Sequence, residues 1–199
     1  MRIPPILSVM TFALATAASA QQVRIGARLG ATWSSTLMKD VIVNPITVKA
    51  GIAPTLALTA SIPSGKKYRI GLEAVFSTAS VKAKESGTTT DLGSLRTAAL
   101  MLAADGPLMV RDFYFRIGVG FLKYLPSDKT GIFLQGGSAR ITGNFTAEYR
   151  RILRPGWYGM GAIRYGLSSF TTKELQSRGF TRSQVVHRVG LELGVAKDF

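Results

Sequence analysis

The sequence predicts an all-β fold, a single eight-stranded antiparallel up-and-down β-barrel. Three observations predict it. Apolar and small or polar residues alternate through most of the chain. Short turns rich in Pro and Gly alternate with longer polar connections. The final strand ends the chain directly on an aromatic residue, Phe199. No stripe of 3.6-residue period competes with this pattern after residue 20, so helices contribute little to the predicted fold.

The eight predicted strands are the segments in which apolar residues recur at every second position. They lie near residues 23–33, 49–62, 68–80, 90–103, 111–123, 140–152, 157–170 and 184–199. In the second strand Pro54 removes a ladder hydrogen bond and predicts a bulge or a locally broken pair. The fourth strand has two possible registers, and we favour the one that places Leu100 and Leu102, rather than Met101, on the outer face.

The predicted connections differ in length on the two ends of the barrel. Short turns lie at residues 63–67, 104–107 and 153–156, whereas longer connections lie near residues 34–48, 81–89, 124–139 and 171–183. Short turns on one side and long loops on the other are typical of bacterial outer-membrane barrels, in which the short side is periplasmic. An even strand count puts both termini on that side.

The first twenty residues have the three parts of a secretory signal peptide. Arg2 gives a positive start, residues 6–17 form an apolar run, and Ala18-Ser19-Ala20 matches the small-x-small cleavage pattern. The apolar run is shorter than the roughly 20 residues that cross a bilayer as a helix. We therefore expect cleavage after Ala20 and assign residues 21–199 to the barrel, with an uncleaved membrane anchor as the alternative.

The closing strand and the loop pattern together resemble the small eight-stranded bacterial outer-membrane barrels of the OmpA/OmpX type. Val189, Leu191, Leu193 and Val195 share one face of that strand, which ends at Phe199. The resemblance implies an all-β, single eight-stranded antiparallel up-and-down transmembrane β-barrel in the outer membrane. It also implies that Phe199 is part of a signal read by the barrel-assembly machinery. It covers nearly all of residues 21–199 and is nearly silent on activity.

Two sets of aromatic residues lie toward opposite strand ends and predict girdles at the two membrane surfaces. The predicted girdle residues are Trp33, Tyr68, Phe76, Phe113, Phe121, Tyr149, Trp157 and Phe170. The alternative is ordinary packing in a soluble barrel. Basic residues near the long loops could meet lipopolysaccharide phosphates, with solvated loops as the simpler interpretation. They are Lys82, Lys84, Lys123, Lys129, Arg140, Lys173, Arg178 and Arg182.

An Arg-x-Gly tripeptide recurs with Arg and Gly on the inner face, starting at Arg24, Arg69, Arg116, Arg164 and Arg188. The glycine would leave volume for the guanidinium group. The predicted lumen charge network is Arg24, Arg28, Arg69, Glu73, Arg116, Glu148, Arg150, Arg164, Arg188 and Glu192. Because three acids cannot neutralise seven arginines, this assignment predicts water or anions in the lumen, especially at the periplasmic mouth.

The function predicted from these patterns is a non-enzymatic, monomeric barrel with a structural or surface-interaction role. Its lumen is plugged and rich in arginine, and its four loops are mobile. A narrow anion-leaning solute pore and a soluble exported lipocalin-like ligand-binding barrel are the alternatives. With one histidine, His187, and no cysteine, the sequence has no metal-ligand spacing and no catalytic residue is assigned. No cofactor is predicted.

The chain is strongly basic, with a formal net charge of +14. A charge of that size raises the possibility of nucleic-acid binding. The basic residues recur singly along the strands, however, and no helix-turn-helix or aromatic-basic motif is present. The sequence therefore predicts outer-membrane lipids and lipopolysaccharide as partners, and no nucleic acid.

Overall fold

The structure is a computed structural model that describes residues 22–40, 46–85, 87–128, 131–134, 137–177 and 183–199. The predicted signal peptide at residues 1–20 lies outside the described residues and stays a prediction. No helix in these ranges has the length and apolar character needed to cross a bilayer.

The described chain is dominated by strands joined in one antiparallel sheet. These are β1 (Arg24–Ser34), β2 (Met38–Asp40), β3 (Ile46–Ala50), β4 (Ala53–Ser64), β5 (Tyr68–Glu85), β6 (Thr88–Pro107), β7 (Phe113–Pro126), β8 (Ala139–Arg154), β9 (Trp157–Phe170) and β10 (Gln184–Asp198). A 3-10 helix spans Gly131–Phe133, and a short helix, α1, spans Lys173–Ser177.

Eight of the strands, all except β2 and β3, form a closed ring in which each strand pairs with its neighbours in the chain. The first and last strands close the ring through a continuous antiparallel register that runs from Arg24 opposite Asp198 to Ser34 opposite Arg188. Closure leaves no edge of the ring unpaired, as a sheet that crosses a bilayer requires. The predicted eight-stranded barrel is confirmed.

The long-loop end differs from the prediction because two connections continue as strands. The connection predicted at residues 81–89 is wrong: β5 continues to Glu85 and β6 resumes at Thr88, joined through Gly87 at φ +89°. Within residues 34–48, β2 and β3 form a hairpin that pairs with the outer part of β5. Val81 and Ala83 face inward and are buried. Inward and outward side chains therefore still alternate in this segment, although much of its sequence is polar.

The short-turn end matches the prediction at two of its three turns. β4 and β5 join through Gly65, and β8 and β9 join through Gly156, each at φ +75°. The turn predicted at residues 104–107 is displaced, because β6 continues to Pro107 and the chain reverses at residues 108–112. The displacement places Asp105 within a strand.

The outer face of the ring is apolar and exposed. Leu100 and Leu102 are 58% and 68% exposed, whereas Met101 between them is 3% exposed, which confirms the favoured register of the fourth predicted strand. Seven of the predicted girdle residues have outward, exposed or partly exposed side chains. The assignment of Phe170 was wrong: it is 2% exposed and packs edge-to-face on Tyr124, with ring centroids 5.1 Å apart.

Candidate functional site

The lumen of the ring contains a cluster of buried charged side chains. Strand alternation sends every second residue inward, and four arginines and four acids occupy such positions. These residues are Arg28, Glu73, Asp105, Arg116, Glu148, Arg150, Arg164 and Glu192. Each is less than 9% exposed, so their charges are balanced by one another rather than by bulk solvent.

Arg28 on β1 is the centre of this network. Its Nε donates to Glu192 at 2.9 Å, its Nη1 to Glu148 at 2.6 Å and its Nη2 to Glu73 at 2.7 Å. The three carboxylates come from β10, β8 and β5, so one guanidinium group joins four strands across the barrel. Charge-assisted bonds of this length are the strong class of protein hydrogen bond.

The other buried arginines share the same carboxylates. Arg164 Nη2 donates to Glu73 at 3.1 Å and to Glu192 at 2.8 Å. Arg150 donates through Nε to Glu148 and lies 3.5 Å from Asp105, which also accepts from Arg116 at 2.9 Å. The network therefore runs continuously from the barrel centre toward the short-turn end.

The predicted surplus of arginines over acids, seven against three, was too large because two acids were missed. Asp105 faces the lumen beside Arg116, and Asp198 pairs with Arg24 through two bonds of 2.7 and 2.9 Å. Both acids were detectable in the sequence: the register that sends Leu102 outward also sends Asp105 inward. The interior charge is therefore more nearly balanced than the sequence count indicated.

Two predicted lumen arginines have no carboxylate partner among the described residues. Arg69 lies opposite Asp105 in the strand register but donates to Ser61 and to the backbone oxygen of Gln22. Arg188 donates to Ser168 and, at 2.9 Å, to the hydroxyl of Tyr124. One lies at the short-turn end and the other in the long-loop half, so the residual positive charge is split between two places.

A small cavity of about 50 Å³ lies in the long-loop half of the lumen, beside Arg164 and Arg188. Two residues that line it each have a buried polar atom, Arg164 Nε and Asn144 Oδ1, without a hydrogen-bond partner within the described chain. One is a donor and the other an acceptor, and buried water is the usual partner of such atoms.

A cluster of apolar side chains, the apolar cap, packs at the long-loop end of the lumen. It consists of residues outside the ring strands, Leu37, Met38, Ile132, Phe133 and Leu175, all less than 4% exposed. They cluster with inward residues near the strand ends, among them Leu122, Tyr124, Phe170 and Val186. Three of the four predicted loops therefore contribute packed side chains in their described parts, and the mobility of the loops stays a prediction. Sequence reasoning missed the cap because loop residues have no strand alternation.

Two of the Arg-x-Gly glycines have a role different from the predicted one. A Cβ atom on Gly118 would lie 2.5 Å from Asn144 Oδ1, and one on Gly190 would lie 3.0 Å from Thr32 Oγ1. These two glycines make room for neighbouring polar side chains. Gly194, outside the tripeptides, makes room for the side chain of Arg28, since a Cβ there would lie 2.6 Å from Arg28 Cγ.

The remaining predicted residues lie outside the lumen network or face a different way. His187 is on the outer face and its Nδ1 lies 2.6 Å from the hydroxyl of Tyr165. Arg140 lies at the long-loop end of β8, as predicted, but shares the inward phase of Thr142, and its Nε is buried without a partner in the described chain. Lys129, Arg178 and Arg182 lie outside the described residues. No group of three or more His, Cys, Asp or Glu among the described residues could hold a metal ion.

Phe199 continues the seam after β10. Its backbone N donates to the Val23 oxygen at 2.9 Å, and Lys197 Nζ lies 4.2 Å from the centroid of its exposed ring. Trp157 neighbours the same ammonium group at 5.6 Å. The terminal aromatic residue therefore lies within a basic and aromatic rim at the short-turn end.

No protein-family model and no curated protein sequence matches the chain. Solved structures do. Neisserial surface protein A is 9% identical with a TM-score of 0.60, covering 89% of this chain and 97% of that one. The outer-membrane protein AlkL is 16% identical with a TM-score of 0.53, covering 90% of each chain. OprG of Pseudomonas aeruginosa is 14% identical with a TM-score of 0.51, covering 90% and 96%. The chain has the fold of the small bacterial outer-membrane β-barrels.

Proposed function

We propose that this chain is a monomeric, non-enzymatic protein of the bacterial outer membrane with a structural or surface-interaction role and a closed lumen. The observation that carries the proposal is the combination of an exposed apolar outer face with an interior filled at two levels. The lower level is the Arg28 charge network, and the upper level is the apolar cap. The long-loop end, with its cap and extended hairpin, then faces the exterior.

The outer face favours a membrane protein over a soluble exported barrel. Leu193 is 74% exposed, Leu102 68% and Phe121 67%, and they belong to a belt found on every strand of the ring. In water such a surface would drive aggregation, whereas in a bilayer it is the lipid contact. A lipocalin-like function would also need a ligand cavity of about 300–1,000 Å³. The cavity beside Arg188 has about 50 Å³.

The anion-leaning pore is the second candidate, and one observation favours it. Arg69 and Arg188 carry positive charge without a carboxylate partner in the described chain, and Arg188 borders the cavity of about 50 Å³. A continuous path would have to cross both the charge network and the apolar cap. The dense packing at those two levels supports a closed lumen.

The lack of enzymatic activity remains part of the proposal and is supported by the environment of His187. A general base needs a partner that orients it and a pocket that admits a substrate. His187 instead pairs with Tyr165 on the outer face, amid side chains assigned to the lipid belt. No catalytic role is assigned to it.

The route to the membrane completes the proposal. Residues 1–20 direct export and are removed after Ala20, and the barrel-assembly machinery recognises the closing strand through Phe199. A monomer is sufficient because the ring is closed within one chain. Outer-membrane lipids, including lipopolysaccharide, are the partners in contact with its outer surface.

Planar-bilayer recording tests the closed lumen. We expect the purified, folded chain to insert without measurable conductance, with folding checked by heat-dependent mobility on a denaturing gel. A variant that combines Phe133→Ala with Arg28→Ala, which opens the cap and the network together, is expected to conduct. Steady anion-selective conductance from the unmodified protein would replace the structural role by the pore. Purification of a folded, detergent-independent monomer would overturn the membrane assignment.

A further inference from the structure

A second cluster of charged residues lies on the outside of the barrel, at its long-loop end. Strands β2, β3, β5, β6 and β7 carry exposed cations there, which we term the basic face: Lys39, Lys49, Lys82, Lys84, Arg96 and Lys123. Three of these cations, Lys82, Lys84 and Lys123, were among the basic residues predicted near the long loops. Lys39 and Lys49 join them because β2 and β3 extend the sheet.

The strand register shows that these cations share one surface. Lys49 lies directly opposite Lys82 on the neighbouring strand, and Lys82 lies opposite Asp91. The intervening positions Val48 and Ala83 are buried, so the lysines must face away from the barrel interior. With strands about 4.8 Å apart, the surface from β3 to β7 is roughly 14 Å wide. It is longer along the strands, because Lys82 lies opposite Asp91 and Lys123 opposite Ala98, which is roughly 23 Å farther along β6.

The basic face is not neutralised by the protein. None of its six side chains forms an ion pair with a described residue, although Asp91 lies beside Lys82 in the register. Like charges held side by side on a sheet destabilise it. A surface that keeps them exposed is suited to a ligand with more than one negative group.

An apolar groove of about 640 Å³ lies on the outer wall beside Arg96 and crosses β1, β4, β5, β6 and β7. Leu29, Leu56, Phe76 and Leu125 contribute apolar side chains to it, and Arg96 is its one charged lining residue. Arg96 lies opposite Leu125 on β7, whereas Lys123 lies opposite Ala98, which also lines the groove. A cation and the apolar groove therefore meet at one level of the barrel.

We infer that the basic face and this groove form a binding site for lipopolysaccharide in the outer leaflet. An acyl chain lies in the groove, and the phosphates of the glycolipid headgroup contact Arg96, Lys123 and Lys82. The inference rests on the proposed outer-membrane function. It assigns the ligand as lipopolysaccharide rather than a phospholipid, because a surface about 14 Å wide can contact several phosphates and a phospholipid such as phosphatidylglycerol carries one.

Titration of the folded, delipidated protein with lipopolysaccharide tests the site, with native mass spectrometry counting the bound molecules. The variant Lys82→Gln/Arg96→Gln/Lys123→Gln removes three cations of the basic face. At ~1 kcal/mol for each cation near an anionic lipid surface, affinity should fall roughly 100-fold. The matched control is Lys66→Gln/Arg111→Gln/Arg151→Gln, which removes the same charge at the short-turn end and should change affinity less than about threefold.

A second pair of variants tests the groove separately. Ala98→Phe fills it without changing charge and should weaken binding, whereas Ala74→Phe, in a different outer groove, should not. Dephosphorylated lipopolysaccharide should bind the unmodified protein as weakly as intact lipopolysaccharide binds the triple variant. Equal losses in the triple variant and its control would overturn the inference, as would equal affinity for phosphatidylglycerol vesicles. In those cases heat-dependent mobility still reports a folded membrane barrel, so the proposed function is judged independently.

Discussion

Replacing Arg28 by methionine should be among the most damaging single changes to the charge network. The substitution keeps a long unbranched side chain but removes the guanidinium group that bonds Glu73, Glu148 and Glu192. Four buried acids then face three buried arginines, so one negative charge is left without compensation.

The size of the effect follows from which bonds survive. Three independent charge-assisted bonds at about 1.5–3 kcal/mol each would give an upper bound near 9 kcal/mol. The loss is smaller because Glu73 and Glu192 still share Arg164, and Glu148 keeps Arg150. We therefore expect a decrease in the free energy of unfolding of about 3–5 kcal/mol, the usual cost of breaking a buried pair from one side.

Urea unfolding in lipid vesicles measures this change, because Trp33 on the outer surface reports the transition by fluorescence. The double variant Arg28→Met/Glu192→Gln restores the balance of charge and should recover more than half of the lost stability. Arg111→Met is the matched control, since that side chain is 95% exposed and its loss should cost less than about 0.5 kcal/mol. If Arg28→Met were no more destabilising than this control, the buried network would not contribute as described.

Three further changes test other parts of the barrel. Leu102→Arg puts a cation into the lipid-facing belt and should destabilise the membrane-inserted barrel by about 2–4 kcal/mol in the same urea assay; a neutral effect would contradict the assigned outer face. Gly194→Val should prevent formation of the heat-modifiable folded form, because a Cβ there would lie 2.2 Å from the Ala27 oxygen; normal folding would show that the seam is looser than described. Phe133→Ala should lower stability by about 3–5 kcal/mol through the cavity left in the apolar cap, and a change below 1 kcal/mol would mean that the cap is not packed.

The barrel itself could be predicted from the sequence because each ring strand contrasts an apolar outer face with a small or polar inner one. That contrast located all eight ring strands and selected the register of Leu100 and Leu102. It failed at residues 81–89, where the outward positions carry lysines and the inward positions apolar residues, the reverse of the pattern in the ring. There Lys82 and Lys84 hid the continuing alternation of Val81 and Ala83.

The interior was predictable in composition but not in pairing. Alternation identified inward arginines, yet it could not show that Arg28 reaches three different strands, because that depends on the barrel diameter and side-chain length. Asp105 was missed through a turn placed too early, although its inward phase could be read from the sequence. The apolar cap depends on loop residues such as Leu37 and Phe133, whose contacts are set by tertiary packing alone.

The seam between β1 and β10 has a consequence for how the barrel is completed. Two ion pairs cross it, Arg24 with Asp198 and Arg28 with Glu192, joining residues 174 and 164 positions apart in the chain. Sliding the seam by two residues would keep every side chain on its proper face and preserve most backbone pairing. It would, however, move Arg24 away from its position directly opposite Asp198. Electrostatics thus distinguishes the correct closure from a slipped one that hydrophobic patterning alone would accept.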